Sequence, residues 1–220
     1  MLTAVLFDMD GTLIDSEPVW VESIRACLAE RGIVFTSALE ERTAGLSNAD
    51  GLQHVMDAHP EVPIDPAELA QAITTAVAQR LMRRSCAMPG ADALLMTLNQ
   101  RRIPLALVSS SPRGLIDRIL ARMQWDRHFQ LVLSIEEVGP GKPDPTVYRE
   151  ALRRLGVAAA TSLAVEDTLA GVQAAQGAGL PVVAIPSYPH EQSLLRHTAN
   201  AAFASLAEAA PWILARCDDA

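Results

Sequence analysis

Residues 3–10 read Thr-Ala-Val-Leu-Phe-Asp-Met-Asp, a short and mainly apolar run that stops on two carboxylates, Asp8 and Asp10. A continuous apolar run without alternation is the pattern of a strand buried on both faces. Such a strand needs helices above and below it. Comparable runs recur at 104–108, 129–133, 162–165 and 181–185, and stretches with helical spacing lie between them at 91–101, 115–123, 146–155 and 169–178. A further helix is expected at 206–216. Strands that alternate with helices predict an α/β chain built on a doubly wound parallel sheet.

Residues 16–87 break this rhythm and show no strand pattern. Amphipathic spacing covers 20–30 and 49–58, and a long Ala-rich helix is expected at 66–82, with Asp65 as its N-cap. The expected organisation is a core from 1–15 and 88–220, with an all-helical domain, 16–87, inserted into it. The punctuation Met88-Pro89-Gly90 marks the return to the core.

Composition excludes several classes of function. Half of the 220 residues are hydrophobic, enough for a packed core, and the formal net charge is −8. An acidic chain is poorly suited to gripping nucleic acid or an anionic membrane, so neither is expected as a partner. Cys27, Cys86 and Cys217 are odd in number and lack CxxC spacing, which reads as reduced thiols in a cytoplasmic protein. No basic leader or long uncharged span is present, and nothing in the sequence demands more than a monomer. Of eighteen basic residues, seventeen are arginine and one, Lys142, is lysine. An ammonium is a compact point charge where a guanidinium is a wide fork, so the one retained lysine is a candidate functional group.

In a doubly wound sheet, ligands gather beyond the carboxyl ends of the strands. The residues there are Asp8 and Asp10, then Ser109, then Glu166 and Asp167, with Lys142 in the loop after the third strand. Clustered carboxylates repel one another unless a cation neutralises them, and a hard oxygen-seeking ion such as Mg²⁺ suits such a set. The ion and Lys142 could then hold a dianionic phosphate that the acids alone would repel. An aspartate nucleophile forms an acyl-phosphate that hydrolyses readily, and a second aspartate two residues on can manage the proton.

Four segments together resemble the haloacid dehalogenase superfamily: FDMDGTLIDSEP at 7–18, VSSS at 108–111, GKPDP at 141–145 and VEDTLAG at 165–171. They match in order and spacing, and the nearest likeness is to the branch of β-phosphoglucomutase-like proteins and sugar-phosphate phosphatases with a helical cap. The resemblance implies a Rossmann-like core and assigns Asp8 as nucleophile and metal ligand. Asp10 would be the general acid/base and lend its backbone carbonyl to the metal. Asp167 would be the other protein ligand, and Glu166 would support the ion and its waters. Ser109 and Lys142 would bind the phosphoryl group, Gly11 and Thr12 would complete the turn, and Ser110, Ser111 and Arg113 could touch the substrate.

Other readings of these residues fit less well. A calcium loop starting at Asp8 would need Gly at residue 13 and Glu at 19, where Leu13 and Val19 stand. A nucleotide P-loop ending at Lys142 fails because Pro143 follows it and Glu136 begins it. No GxSxG turn surrounds Ser109–Ser111, and no histidine is assigned a role. Asp10 favours phosphoryl chemistry over dehalogenation, and the absence of lysine from residues 16–87 removes a Schiff-base route. Trp20 and Asn48 stand where mutases of the branch carry a hinge His and a cap Arg. A phosphatase acting on a small phosphorylated metabolite is therefore expected ahead of a phosphosugar mutase or a catalytically silent binding module. The cap is expected to close through 13–17 and 85–89, with Trp20 and the loop 45–48 over the substrate.

Overall fold

A computed structural model of the chain, which describes residues 2–43, 48–83 and 86–218, contains a six-stranded sheet. Its strands are β1 (Ala4–Phe7), β2 (Leu105–Ser109), β3 (Leu131–Ser134), β4 (Ser162–Glu166), β5 (Val182–Ala184) and β6 (Ala201–Ala202). The order across the sheet is β3-β2-β1-β4-β5-β6, and every pairing is parallel. The expected parallel α/β architecture is therefore the observed one.

The chain divides into two compact units, one of Met1–Asp15 with Cys86–Ala220 and one of Ser16–Ser85. The second is helical: α1 (Glu17–Ala29), α2 (Ser37–Thr43), α3 (Asn48–Ala58) and α4 (Pro66–Leu81). Asp65 caps α4 by accepting from the amides of Ala67 and Glu68 at 2.8 and 3.2 Å. Leu69, Ile73, Val77 and Leu81 recur every four residues along α4 and are all buried. That stripe packs on α1, whose Val19, Trp20, Cys27 and Leu28 are also buried. The loop expected over the substrate falls largely on residues 45–47, and the second expected hinge begins at residue 85; these positions lie outside the described residues.

The first unit carries α5 (Ala91–Gln100), α6 (Arg113–Met123), α7 (Thr146–Leu155), α8 (Leu169–Gly177), α9 (Gln192–Thr198) and α10 (Leu206–Asp218). Successive residues of β1 point to opposite faces of the sheet. Ala4 and Leu6 join Val147, Tyr148, Ala151 and Val172 from α7 and α8 in one cluster, and Val5 and Phe7, equally buried, face the other side. Burial on both faces is why β1 reads as an unbroken apolar run. β3 begins two residues later than the apolar pattern suggested. A 3₁₀ turn at Asp126–His128 precedes it, and Gln130 spends its side-chain carbonyl on the amide of Leu105.

Topology then places the site. The chain runs outward from β1 to β2 and β3, then crosses back to lay β4 against the other side of β1. The strand order reverses between β1 and β4, and the crevice beyond their carboxyl ends is where a doubly wound sheet collects its ligands. Phe7 pairs with Val165, so the next residues on each strand, Asp8 and Glu166, leave the sheet side by side.

Candidate active site

Asp8 follows β1 directly, and its amide donates to the carbonyl of Val165 at 3.0 Å. The chain then turns tightly: the amides of Leu13 and Ile14 both donate to the carbonyl of Met9, and that of Gly11 to Ile14. Gly11 sits at φ +74° against the side chain of Asp167. A Cβ there would lie 2.0 Å from Asp167 Oδ2, so the turn admits only glycine. Thr12 Oγ1 reaches Asp167 Oδ1 at 3.5 Å, and Ser187 Oγ, just beyond β5, donates to Oδ2 at 2.6 Å.

Lys142 ties the two central strands together. Its Nζ donates to Asp8 Oδ1 and Glu166 Oε1, each at 2.6 Å, and to the carbonyl of Val108 at 3.2 Å. All three of its N–H groups are thereby used. Tyr148, on α7, donates its hydroxyl to the same Glu166 Oε1, and its ring centroid lies 5.4 Å from Nζ. Glu166 is fully buried; its Oε2 has no hydrogen-bond partner among the described residues and faces Gly171 at the start of α8. A Cβ on Gly171 would come within 1.9 Å of that oxygen.

The segment after β2 is fixed by hydroxyls. Ser109 Oγ accepts from the amide of Ser111 at 3.0 Å, and Ser134 Oγ donates to the carbonyl of Ser111 at 2.7 Å. Ser111 Oγ donates to Asp10 Oδ2 at 2.7 Å, which joins this segment to the turn after β1. Ser110 is half-buried between them. Arg113 points its fork elsewhere: its guanidinium donates to Asp117, to Glu137 and to the carbonyl of Val132. The structure therefore brings together Asp8, Glu166, Asp167 and Lys142, links Asp10 to Ser111 and Ser111 to Ser109, and engages Arg113 in a surface ion-pair network.

The electrostatics call for a further cation. Carboxylate oxygens of Asp8, Glu166 and Asp167 lie within 4.8 Å of one another, so one ammonium stands against three acids. Burial, opposed by Lys142 and reinforced by Glu166 and Asp10, pushes Asp8 up to about 8. Burial also works against the charge on Lys142, but Asp8 and Glu166 outweigh it and hold the ammonium above its ordinary range. The unpartnered Glu166 oxygen and the all-oxygen donor set fit a hard divalent ion.

A prediction concerns the metal-free chain. Asp8 has an ordinary value of 3.8, so between about pH 4 and 8 the folded state retains a proton that the unfolded state has released. Stability must then fall as pH rises through that window. The melting temperature in chelator should decline from pH 5 to pH 8. A flat or rising profile would show Asp8 to be ionised in the metal-free fold.

Residues 2–179 match the family model of the haloacid dehalogenase-like hydrolases. This chain belongs to that family. Among the hydrolase's relatives is a phosphorylated-carbohydrate phosphatase of Thermotoga maritima, 31% identical over 182 residues, which span 81% of this chain and 82% of that protein. A phosphoglycolate phosphatase of Cupriavidus necator is 30% identical over 184 residues, 82% of this chain and 79% of the relative. The crystal structure of β-phosphoglucomutase from Clostridium difficile superposes with a TM-score of 0.84, covering 100% of the hydrolase and 98% of that chain. At 19% identity this last likeness speaks for the fold.

Three hydroxyls in the hydrolase were not singled out from its sequence. Ser134 and Ser187 lie just past expected strands, and the strand-end argument applied to Asp8, Ser109 and Glu166 extends to both. Tyr148 carries no such signal, because a buried aromatic on an amphipathic helix reads as core.

Proposed function

We propose that this chain is a Mg²⁺-dependent phosphatase that hydrolyses a small phosphorylated metabolite, a sugar phosphate by preference, through an aspartyl-phosphate on Asp8. The observation that carries the reading is the Lys142 ammonium held between Asp8 and Glu166, with Asp167 beside them, where β1 and β4 adjoin. The two phosphatase relatives act, by their names, on phosphorylated carbohydrates and phosphoglycolate, which supports a small phosphomonoester as substrate.

Asp8, Glu166 and Asp167 would hold the ion, with the backbone carbonyl of Asp10 assisting. When bound, Mg²⁺ supplies charge neutralisation, so that a dianionic phosphate can approach three acids. Asp8 attacks phosphorus through a carboxylate oxygen while the bond to the leaving oxygen breaks. Asp10 passes a proton to that oxygen and then takes one from the water that cleaves the acyl-phosphate. Ser111, hydrogen-bonded to Asp10, fixes the carboxyl for both transfers. Ser109, Ser110 and Lys142 are assigned to the transferring phosphoryl group. The helical unit is assigned the role of a cap whose closure excludes bulk water.

The test is phosphate release from a panel of sugar phosphates and phosphoglycolate. Release should require Mg²⁺, stop in excess EDTA and return when Mg²⁺ is restored. A panel hydrolysed equally well in EDTA, or not hydrolysed at all, would reject the reading.

A further inference from the structure

Lys142 is fully committed before any substrate arrives. Its three N–H groups go to Asp8, Glu166 and the carbonyl of Val108, while its assigned task is to meet a phosphoryl oxygen. Releasing the neutral Val108 carbonyl would free one N–H but leave the ammonium neutralised by both acids, so to turn its charge toward a dianion it must leave a carboxylate. Leaving Asp8 Oδ1 would take from the nucleophile its one hydrogen-bond donor among the described residues. Glu166 Oε1 differs, because it accepts from two groups, Lys142 and Tyr148. The buried carboxylate that can lose the ammonium and still keep a donor is therefore Glu166.

We propose that Tyr148 is a positioning residue whose hydroxyl anchors Glu166, so that Lys142 can turn from Glu166 to the phosphoryl group while Glu166 keeps its place beside the metal. This rests on the phosphatase reading above. Two observations support it. The side chain is fully buried in the core cluster that also holds Val108, Leu133 and Val172, so its orientation is set by packing. The ring faces Nζ within cation–π range, so the ammonium keeps a favourable neighbour as it turns.

The experiment compares the full-length chain with Tyr148→Phe, by calorimetric titration of Mg²⁺ alone and then of orthophosphate at saturating Mg²⁺. Removing a partner that orients a metal ligand costs about 10–100-fold in metal affinity. Tyr148→Phe should weaken Mg²⁺ binding by at least about tenfold, and orthophosphate binding should weaken with it. A lowered melting temperature with both affinities unchanged assigns Tyr148 to packing alone and overturns the proposal. Should Tyr148→Phe fail to fold, a fluorine probe replaces it. The chain has two tyrosines, so 3-fluorotyrosine in a Tyr188→Phe background puts one reporter beside Glu166. Its ¹⁹F resonance should move when Mg²⁺ binds and again when orthophosphate follows; a resonance that ignores both overturns the proposal. An unsubstituted chain that binds neither ligand overturns the phosphatase reading and this one together. One that binds both, beside an unaffected Tyr148→Phe, overturns this one only.

Discussion

Asp8→Asn should leave a folded chain that releases phosphate at least roughly four orders of magnitude more slowly than the parent, the scale seen when a catalytic nucleophile is removed. The fold should survive because Asn is isosteric and its amide oxygen can still accept from Lys142. The substitution also relieves the crowding among Asp8, Glu166 and Asp167, so the midpoint in urea should be no lower than that of the parent. Mixing the parent with ³²P-labelled substrate and quenching in acid should trap label on protein. The label should be released by alkali and be absent from Asp8→Asn. Turnover within tenfold of the parent, or trapped label in the variant, would place the nucleophile elsewhere.

Lys142→Met removes the ammonium and leaves Asp8 and Glu166 facing each other across a buried gap. Both side chains are nearly inaccessible to water, at 8% and 0%. Breaking a buried ion pair from one side costs about 3–5 kcal/mol, because the abandoned carboxylate has no solvent to turn to. The metal-free variant should lose stability on that scale in urea denaturation, together with its phosphatase activity. Lys142→Arg should recover part of the stability but little of the activity, since a planar fork cannot reproduce three donations from a single nitrogen. The double variant Lys142→Met, Glu166→Gln separates charge from packing. It should regain stability over Lys142→Met, and a further loss would make packing the dominant contribution.

Most of the fold was legible because burial on both faces writes an unmistakable pattern. β1, β2, β4 and β5 are buried throughout, and each is an apolar run in the sequence. The pieces that were not anticipated are short: α2 and α9 have seven residues each and β6 only two, too few to show a period. At the site, the acids were legible through their places at strand ends and the lysine as the one lysine of the chain. What sequence could not supply was the direction of a side chain. Arg113 follows the serine loop and was read as reaching the substrate, yet its fork pairs with Asp117 one helical turn along and with Glu137 across the loop after β3. Tyr148 shows the reverse, a residue of core character whose one polar atom meets the acid pair.

The pairing of β1 with β4 also bears on how the protein is made. β1 leaves the ribosome well before β4, since Thr12 and its partner Asp167 are separated by 155 positions. At ribosomal speeds of about 5–20 residues per second, that interval lasts roughly 8–30 s. Until it has passed, β1 presents an unsatisfied edge with no fourth strand to cover it. Nascent chains of this hydrolase should accordingly depend on shielding by chaperones in a way that the finished protein does not.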